Sequence, residues 1–125
     1  MHRPILLAFY SLAVLTHVLV LVRVIPYDWV NGGRSTSYAA QAVQSAVSIV
    51  ILLGLFAFVW RLMHRSSISR TQWRLLVALA VLLTIGAVQQ LLGTAFERSL
   101  MVLVLVAGVA GHSMLARDLR PRPTT

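Results

Sequence analysis

Four long stretches without a charged residue occupy most of this sequence. They run through residues 4–22, 35–60, 75–96 and 99–116. At about 1.5 Å of rise per helical residue, each stretch is long enough to cross a hydrocarbon core about 30 Å thick. We therefore predict an all-α fold, an integral membrane four-helix up-down bundle that forms one domain over residues 1–116. The predicted spans cover about residues 5–23, 38–60, 74–95 and 99–116.

The composition leaves no room for a separate soluble domain. Of the 125 residues, 58% are hydrophobic and 11% are charged, so the solvent of this chain is mostly lipid. The formal net charge is +8, and all eleven basic residues are arginines. Because most of them lie in short segments beside the apolar stretches, we expect contact with anionic lipid headgroups at the cytoplasmic face and no nucleic-acid partner. The sequence has no cysteine, which excludes disulfides, thiol chemistry and Cys-ligated zinc.

The distribution of the arginines predicts the orientation. The side that carries both ends of the chain holds Arg3, Arg61, Arg65, Arg70, Arg74, Arg117, Arg120 and Arg122. The opposite side holds Arg23, Arg34 and Arg98. Eight arginines against three predict cytoplasmic N and C termini by the positive-inside rule. We also expect residues 117–125, which end in alternating arginine and proline followed by threonine, to form a disordered basic cytoplasmic tail.

Polar residues inside the spans concentrate toward the outer side. A stripe at spacings of three and four lies on one face of the second span: Gln41, Gln44, Ser45 and Ser48. A candidate pocket combines this stripe with residues of the first and third spans: His17, Arg23, Gln89, Gln90 and Glu97. We expect Gln44 and Gln90 to lie inside one bundle near His17. Alternatively, the polar side chains are hydrogen-bond partners between helices, each contributing about 0.6 to 2 kcal/mol.

The longest outer loop, residues 25–37, lies above this cluster and is a candidate lid. Its lid residues are Asp28, Trp29, Asn31, Gly32, Gly33 and Arg34. The Asn-Gly-Gly sequence readily takes positive φ, so the loop can fold back over the mouth of the bundle. The alternative is a loop that serves only as an interfacial anchor.

The same loop contains the pattern Pro26-Tyr27-x-Trp29-x-x-Gly32-Gly33-Arg34. It resembles the first outer loop of a group of small bacterial four-span membrane proteins that carry Trp and Gly-Gly-Arg there. The resemblance is confined to the loop. It implies a bacterial origin, with the bacterial plasma (inner) membrane as the location, and it supplies no activity.

Small residues in the fourth span predict close helix packing. Ala107 and Gly111 form a small-x-x-x-small pair, and Gly108 lies beside them. The neighbouring helix belongs either to the same chain or to a second subunit.

The histidines do not suggest a cofactor. Counted from the cytoplasmic ends of their spans, His17 and His112 differ in depth by about 12 Å at 1.5 Å per residue. The two axial ligands of one haem lie at nearly the same level, so we expect no haem and no other cofactor. His2 and His64 share the cytoplasmic face without a third ligand, so we expect no metal site.

Catalysis has little support. The acidic residues are Asp28, Glu97 and Asp118. A paired-carboxylate site of Asp28 and Glu97 is conceivable, but ion pairs with Arg23, Arg34 or Arg98 explain both carboxylates more simply. Since no nucleophile or phosphate-binding motif is present, we expect no enzyme.

Two functions then compete. The first is that of an accessory or interaction subunit, which packs against a larger membrane partner or forms a homo-oligomer. The alternative is binding or transport of a small solute or lipid through the outer-facing polar pocket, with residues 25–37 as its lid. The direction of the second-span stripe separates them, because it faces its own bundle in a pocket and faces outward in a subunit contact.

Overall fold

The computed structural model describes residues 1–121, and that range is all-helical. It contains four α-helices: α1 (His2–Leu21), α2 (Tyr38–Met63), α3 (Arg70–Leu91) and α4 (Val102–Asp118). Two short 3-10 turns, Tyr27–Trp29 and Asn31–Gly33, lie between α1 and α2, and a π-helical turn, Glu97–Met101, leads directly into α4. The predicted all-α class is confirmed. Each helix, with the π-turn counted as part of the last, is long and apolar enough to cross a membrane, which indicates a membrane protein.

Serine side chains cap the starts of the two middle helices. Ser37 Oγ accepts a hydrogen bond from the Ala40 amide at 3.2 Å at the start of α2. At the start of α3, Ser69 N–H donates to Gln72 Oε1 at 3.0 Å, and Gln72 N–H donates to Ser69 Oγ at 3.2 Å. This capping box begins α3 at Arg70, ahead of the predicted span.

Hydrogen bonds between elements show that consecutive helices are antiparallel. At one end of the molecule, here called the basal end, Arg3 Nη2 donates to Met63 O at 2.8 Å. At the same end, Trp73 Nε1 donates to Ala116 O at 2.9 Å. The first bond joins the start of α1 to the end of α2, and the second joins the start of α3 to the end of α4. The opposite end, here called the loop end, carries the α1–α2 and α3–α4 connections.

The last helix extends past the predicted span. It includes Arg117 and ends at Asp118, where the sequence predicted the start of the tail. His2 Nδ1 lies 2.9 Å from Asp118 Oδ2, so the last turn of α4 is held beside the first turn of α1. Residues 122–125 of the predicted tail lie outside the described residues.

The four helices are arranged in the spatial order α2–α1–α4–α3. Close packing joins α1 to α2, α1 to α4 and α4 to α3, whereas the backbones of α2 and α3 make no extensive close approach. The flanking helices face each other across a groove of about 260 Å³ that is lined by Leu55, Phe58, Leu75, Ala78, Leu79 and Leu82. All four helices contribute to the buried apolar core, which includes Leu6, Phe9, Leu62, Leu76 and Leu115. The centre of the fold is therefore the α1–α4 pair.

Glycines allow α1 and α4 to approach closely. A Cβ on Gly108 would lie 2.7 Å from two ring carbons of Phe9, and a Cβ on Gly111 would lie 2.9 Å from Leu6. Both glycines are buried, and Ala107 is half-buried. The small residues of α4 thus pack against a helix of the same chain.

Candidate functional site

A buried carboxylate fastens the loop end together. Glu97 is 2% exposed, and its Oε1 and Oε2 lie 2.9 and 3.0 Å from the Gly32 amide nitrogen. Thr94 N–H donates to Glu97 Oε2 at 2.8 Å, while Glu97 N–H donates to Thr94 Oγ1 at 3.3 Å. Thr94 and Glu97 thereby form a capping box at the start of the helical segment that leads into α4. Glu97 joins the α1–α2 loop to the α3–α4 corner.

This geometry corrects the ion pairs expected from the sequence. Within residues 1–121, no ion pair joins Glu97 or Asp28 to an arginine; the ion pairs there involve Asp118. Backbone N–H groups satisfy Glu97 instead, and charge-assisted hydrogen bonds of this kind are strong. The position of Glu97 in the first turn of a helix also favours a negative charge.

The loop reaches Glu97 through three consecutive residues in the left-handed region. The φ values are 55° at Asn31, 64° at Gly32 and 67° at Gly33. A Cβ on Gly33 would also lie 3.2 Å from Asp28 O, so glycine suits both the dihedral angles and the space. The tight curvature of this segment presents the Gly32 N–H to the carboxylate.

Trp29 covers the α3–α4 corner. Thr94 Oγ1 donates a hydrogen bond to Trp29 O, and the indole ring lies 6.0 Å from the Phe96 ring. The indole is half exposed, and Asp28 and Arg34 are exposed as well. The predicted lid residues therefore form one loop that is bonded to the corner.

A chain of polar side chains joins the loop, α2 and α1. Ser35 Oγ donates to Gln41 Oε1, Gln41 Nε2 donates to Ser45 Oγ at 3.2 Å, and His17 Nδ1 lies 3.3 Å from the same Oγ. Gln41 and Ser45 are almost fully buried. Part of the predicted stripe thus faces α1 inside the protein, where its members bond to one another.

The expectation that Gln44 lies inside the bundle beside Gln90 is not met. Gln44 is exposed, and its Oε1 accepts a hydrogen bond from Asn31 Nδ2 at 3.0 Å. Gln44 differs by about 60° from Gln41 around a helix with 3.6 residues per turn, which is enough to move it from the buried face to the rim. It fixes the loop to α2 from outside.

The remaining predicted pocket residues are scattered. Gln90 and Ser48 are half-buried, whereas Gln89 is exposed. Arg23 is also exposed, and its guanidinium carbon lies 4.0 Å from the ring centroid of Tyr38, a cation–π contact. Within residues 1–121, none of these four residues hydrogen-bonds to His17, whose partner is Ser45.

A second buried polar pair, between α1 and α4, was not singled out as a pair from the sequence. Tyr10 Oη lies 2.9 Å from His112 Nε2, and His112 Nδ1 lies 2.7 Å from Gly108 O. Because a carbonyl only accepts, Nδ1 carries the proton of the neutral imidazole and Tyr10 donates to Nε2. Tyr10 and His112 lie about 100 residues apart, so no local spacing indicates the contact.

His17 and His112 bond to different partners on different helices. Within residues 1–121, His, Cys, Asp and Glu side chains form no group of three positioned to hold a metal.

Most polar groups at the loop end bond to one another. Glu97 accepts from backbone amides, the His17 imidazole lies against the Ser45 hydroxyl, and Gln41 and Gln44 bond to hydroxyl and amide groups. The buried Gln90 Oε1 has no hydrogen-bond partner within residues 1–121.

Comparison with known proteins gives no family. No protein-family model matches the sequence, and neither the curated proteins nor the solved structures yield a match.

Proposed function

We propose that this protein is a small interaction subunit of the bacterial plasma membrane, with both termini in the cytoplasm. It acts by packing the outward face of α2 against a larger membrane partner. It carries out no catalysis of its own.

The observation that carries this proposal is the contrast between the inner and outer surfaces. Several buried polar side chains of the spans pair with one another, as His17 does with Ser45 and Tyr10 with His112. The outward faces are instead apolar. Large exposed side chains on α2 include Val43, Val47, Val50, Ile51 and Leu53.

Gln41 and Ser45 of the second-span stripe face their own bundle, which is the direction expected for a pocket. Solute binding at the loop end nevertheless has less support, because both side chains already bond to neighbouring polar groups. At this end the buried Gln90 Oε1 is without a hydrogen-bond partner among the described residues.

The helix α2 is best suited to meet a partner. It is the longest helix, with 26 residues, yet it packs closely on α1 alone and is far less buried than α1 or α4. Gly54 lies on its exposed side, and a Cβ placed there would meet no atom within 4 Å. A glycine facing outward in an apolar helix allows a second helix to approach closely.

Site-specific photocrosslinking in cells tests the partner face. A photoreactive amino acid at Val50 of α2 should yield a protein adduct, and the change Gly54→Leu should strongly reduce it. The same probe at Val106, exposed on α4, is the matched control and should yield no protein adduct. An adduct with a second copy would assign the face to a homo-oligomer. Lipid adducts alone at both positions would contradict the proposal.

Thiol labelling tests the orientation, because the natural chain has no cysteine to interfere. A membrane-impermeant maleimide should label Asn31→Cys in spheroplasts, whereas Ser67→Cys should react only after lysis. Both positions are exposed in the fold. The reverse pattern would place the termini outside.

A further inference from the structure

A groove runs along the outside of α3 and α4 at the basal end. Its volume is about 400 Å³. The walls are apolar for most of their length, with Val77, Ala80 and Val81 from α3 and Ala116 from α4. Thr84 and Ser113 line the part of the groove farther from the basal end, and Arg117 and Arg120 line it at the basal end of α4. The groove is therefore apolar along its floor and cationic at one end.

The length of the groove matches one membrane leaflet. Its α3 wall extends from Trp73 to Thr84, eleven residues along the helix. At 1.5 Å per residue this is about 16 Å, about half of a hydrocarbon core of 30 Å. An acyl chain that follows α3 from the basal end would reach the middle of the bilayer.

The basal end of the groove has the chemistry of a headgroup site. The Arg117 side chain is 83% exposed, and its Nε lies 4.0 Å from Asp118 Oδ1, a loose contact that leaves the guanidinium fork accessible. The other carboxylate oxygen of Asp118 lies 2.9 Å from His2 Nδ1. Trp73 donates its indole N–H to Ala116 O, so its ring is fixed in the groove wall at the level where tryptophans border a bilayer. Arginine binds phosphate through paired N–H donors.

We propose that this groove is a binding site for one anionic phospholipid. An acyl chain lies along Val77, Ala80 and Val81, and the phosphate group bonds to Arg117 and Arg120. The proposal rests on the membrane location proposed above and adds a ligand to it. Two other apolar grooves, one between α2 and α3 and one between α1 and α2, have no charged residue in their linings and offer a headgroup no cationic partner.

Native mass spectrometry of the purified full-length protein tests the site with a defined mixture. Equal amounts of phosphatidylglycerol and phosphatidylethanolamine are added in detergent. We expect one retained phosphatidylglycerol in preference to phosphatidylethanolamine. The double variant Arg117→Gln/Arg120→Gln should weaken phosphatidylglycerol retention by about 30-fold, because basic residues near a bilayer each contribute on the order of 1 kcal/mol to anionic-lipid binding.

A charge-matched control distinguishes a specific lipid site from general electrostatic attraction between arginines and anionic lipid. The double variant Arg61→Gln/Arg65→Gln removes two arginines near the basal end of α2, outside the groove, and should retain the lipid as the wild type does. Equal loss in both double variants, or equal retention of the two lipids by the wild type, would overturn the proposal.

A second variant tests the acyl-chain part of the site with both arginines in place. Ala80→Phe fills the groove and should abolish retention while helicity by circular dichroism is unchanged. Retention equal to that of the wild type would contradict an acyl chain in the groove. Soluble glycerol phosphate should not displace the lipid, and displacement would show a phosphate site without a lipid chain.

Cell fractionation tests the membrane location separately from the lipid site. Protein that stays in the carbonate-washed membrane pellet but retains no phosphatidylglycerol overturns the lipid site alone. Protein absent from the pellet overturns the location as well.

Discussion

Replacing Glu97 with glutamine should release the α1–α2 loop without removing the helix cap. Glutamine is accepted in the capping box, so its side-chain oxygen still receives the Thr94 N–H. The amide NH₂ then takes the place of Oε1, 2.9 Å from the Gly32 nitrogen, where two donors face each other. The Gly32 N–H keeps only a neutral oxygen at the Oε2 position, 3.0 Å away, in place of the carboxylate. A hydrogen bond to a charged group contributes about 1.5 to 3 kcal/mol. We expect the loop to open more easily by this amount.

Hydrogen–deuterium exchange measures this opening directly. A loss of about 1.5 to 3 kcal/mol raises the open fraction, and hence amide exchange at Gly32, by about 10- to 150-fold. Exchange in the central helices α1 and α4 should change much less, since Glu97 lies at the loop end. The matched control is Asp28→Asn, which neutralises an exposed carboxylate of the same loop and should leave exchange nearly unchanged.

One result would refute this reasoning. If the segment around Gly32 exchanges as slowly in Glu97→Gln as in the wild type, the buried carboxylate does not hold the loop. Equal acceleration in Asp28→Asn would show that loop charge, rather than the specific hydrogen bonds, controls the opening.

Two further substitutions examine the α1–α4 contact, with unfolding in mixed micelles as the measurement. Gly108→Ala places a Cβ about 2.7 Å from the Phe9 ring and should lower the free energy of unfolding by about 1 to 3 kcal/mol. The control is Ala110→Leu on the exposed side of the same helix, which should change the free energy of unfolding by less than about 0.5 kcal/mol. Tyr10→Phe leaves the buried His112 Nε2 without its donor and should cost about 1 kcal/mol, so an unchanged stability would show that the pair contributes nothing.

The helices were predictable because their signal is local. Each apolar stretch is long enough to cross a bilayer, so number and type follow from hydropathy. The boundaries depend on caps that are also local: Ser69-x-x-Gln72 and Thr94-x-x-Glu97 both fit the capping-box pattern and would have marked the starts of α3 and of the segment before α4.

The site was predictable only in part, because its decisive contacts are distant in sequence. The spacing of four between Gln41 and Ser45 correctly places both on one face, where they bond to each other. The loop partner of Glu97 is the Gly32 N–H, 65 residues away, and side-chain charge gives no indication of this contact. Charge counting therefore favoured arginine, whereas the fold supplies an amide from a glycine.

The central position of α1 and α4 has a consequence for biosynthesis. α1 is the first helix to be synthesised and α4 is the last. During synthesis, α1 therefore lacks its packing partner until α4 is complete. In that interval the Tyr10 hydroxyl has no His112 to bond, and the face that carries Leu6 and Phe9 has no glycine surface to cover it. A nascent chain that stops before α4 thus presents an unsatisfied polar group within an apolar helix, a feature by which membrane quality control can distinguish it from the finished protein.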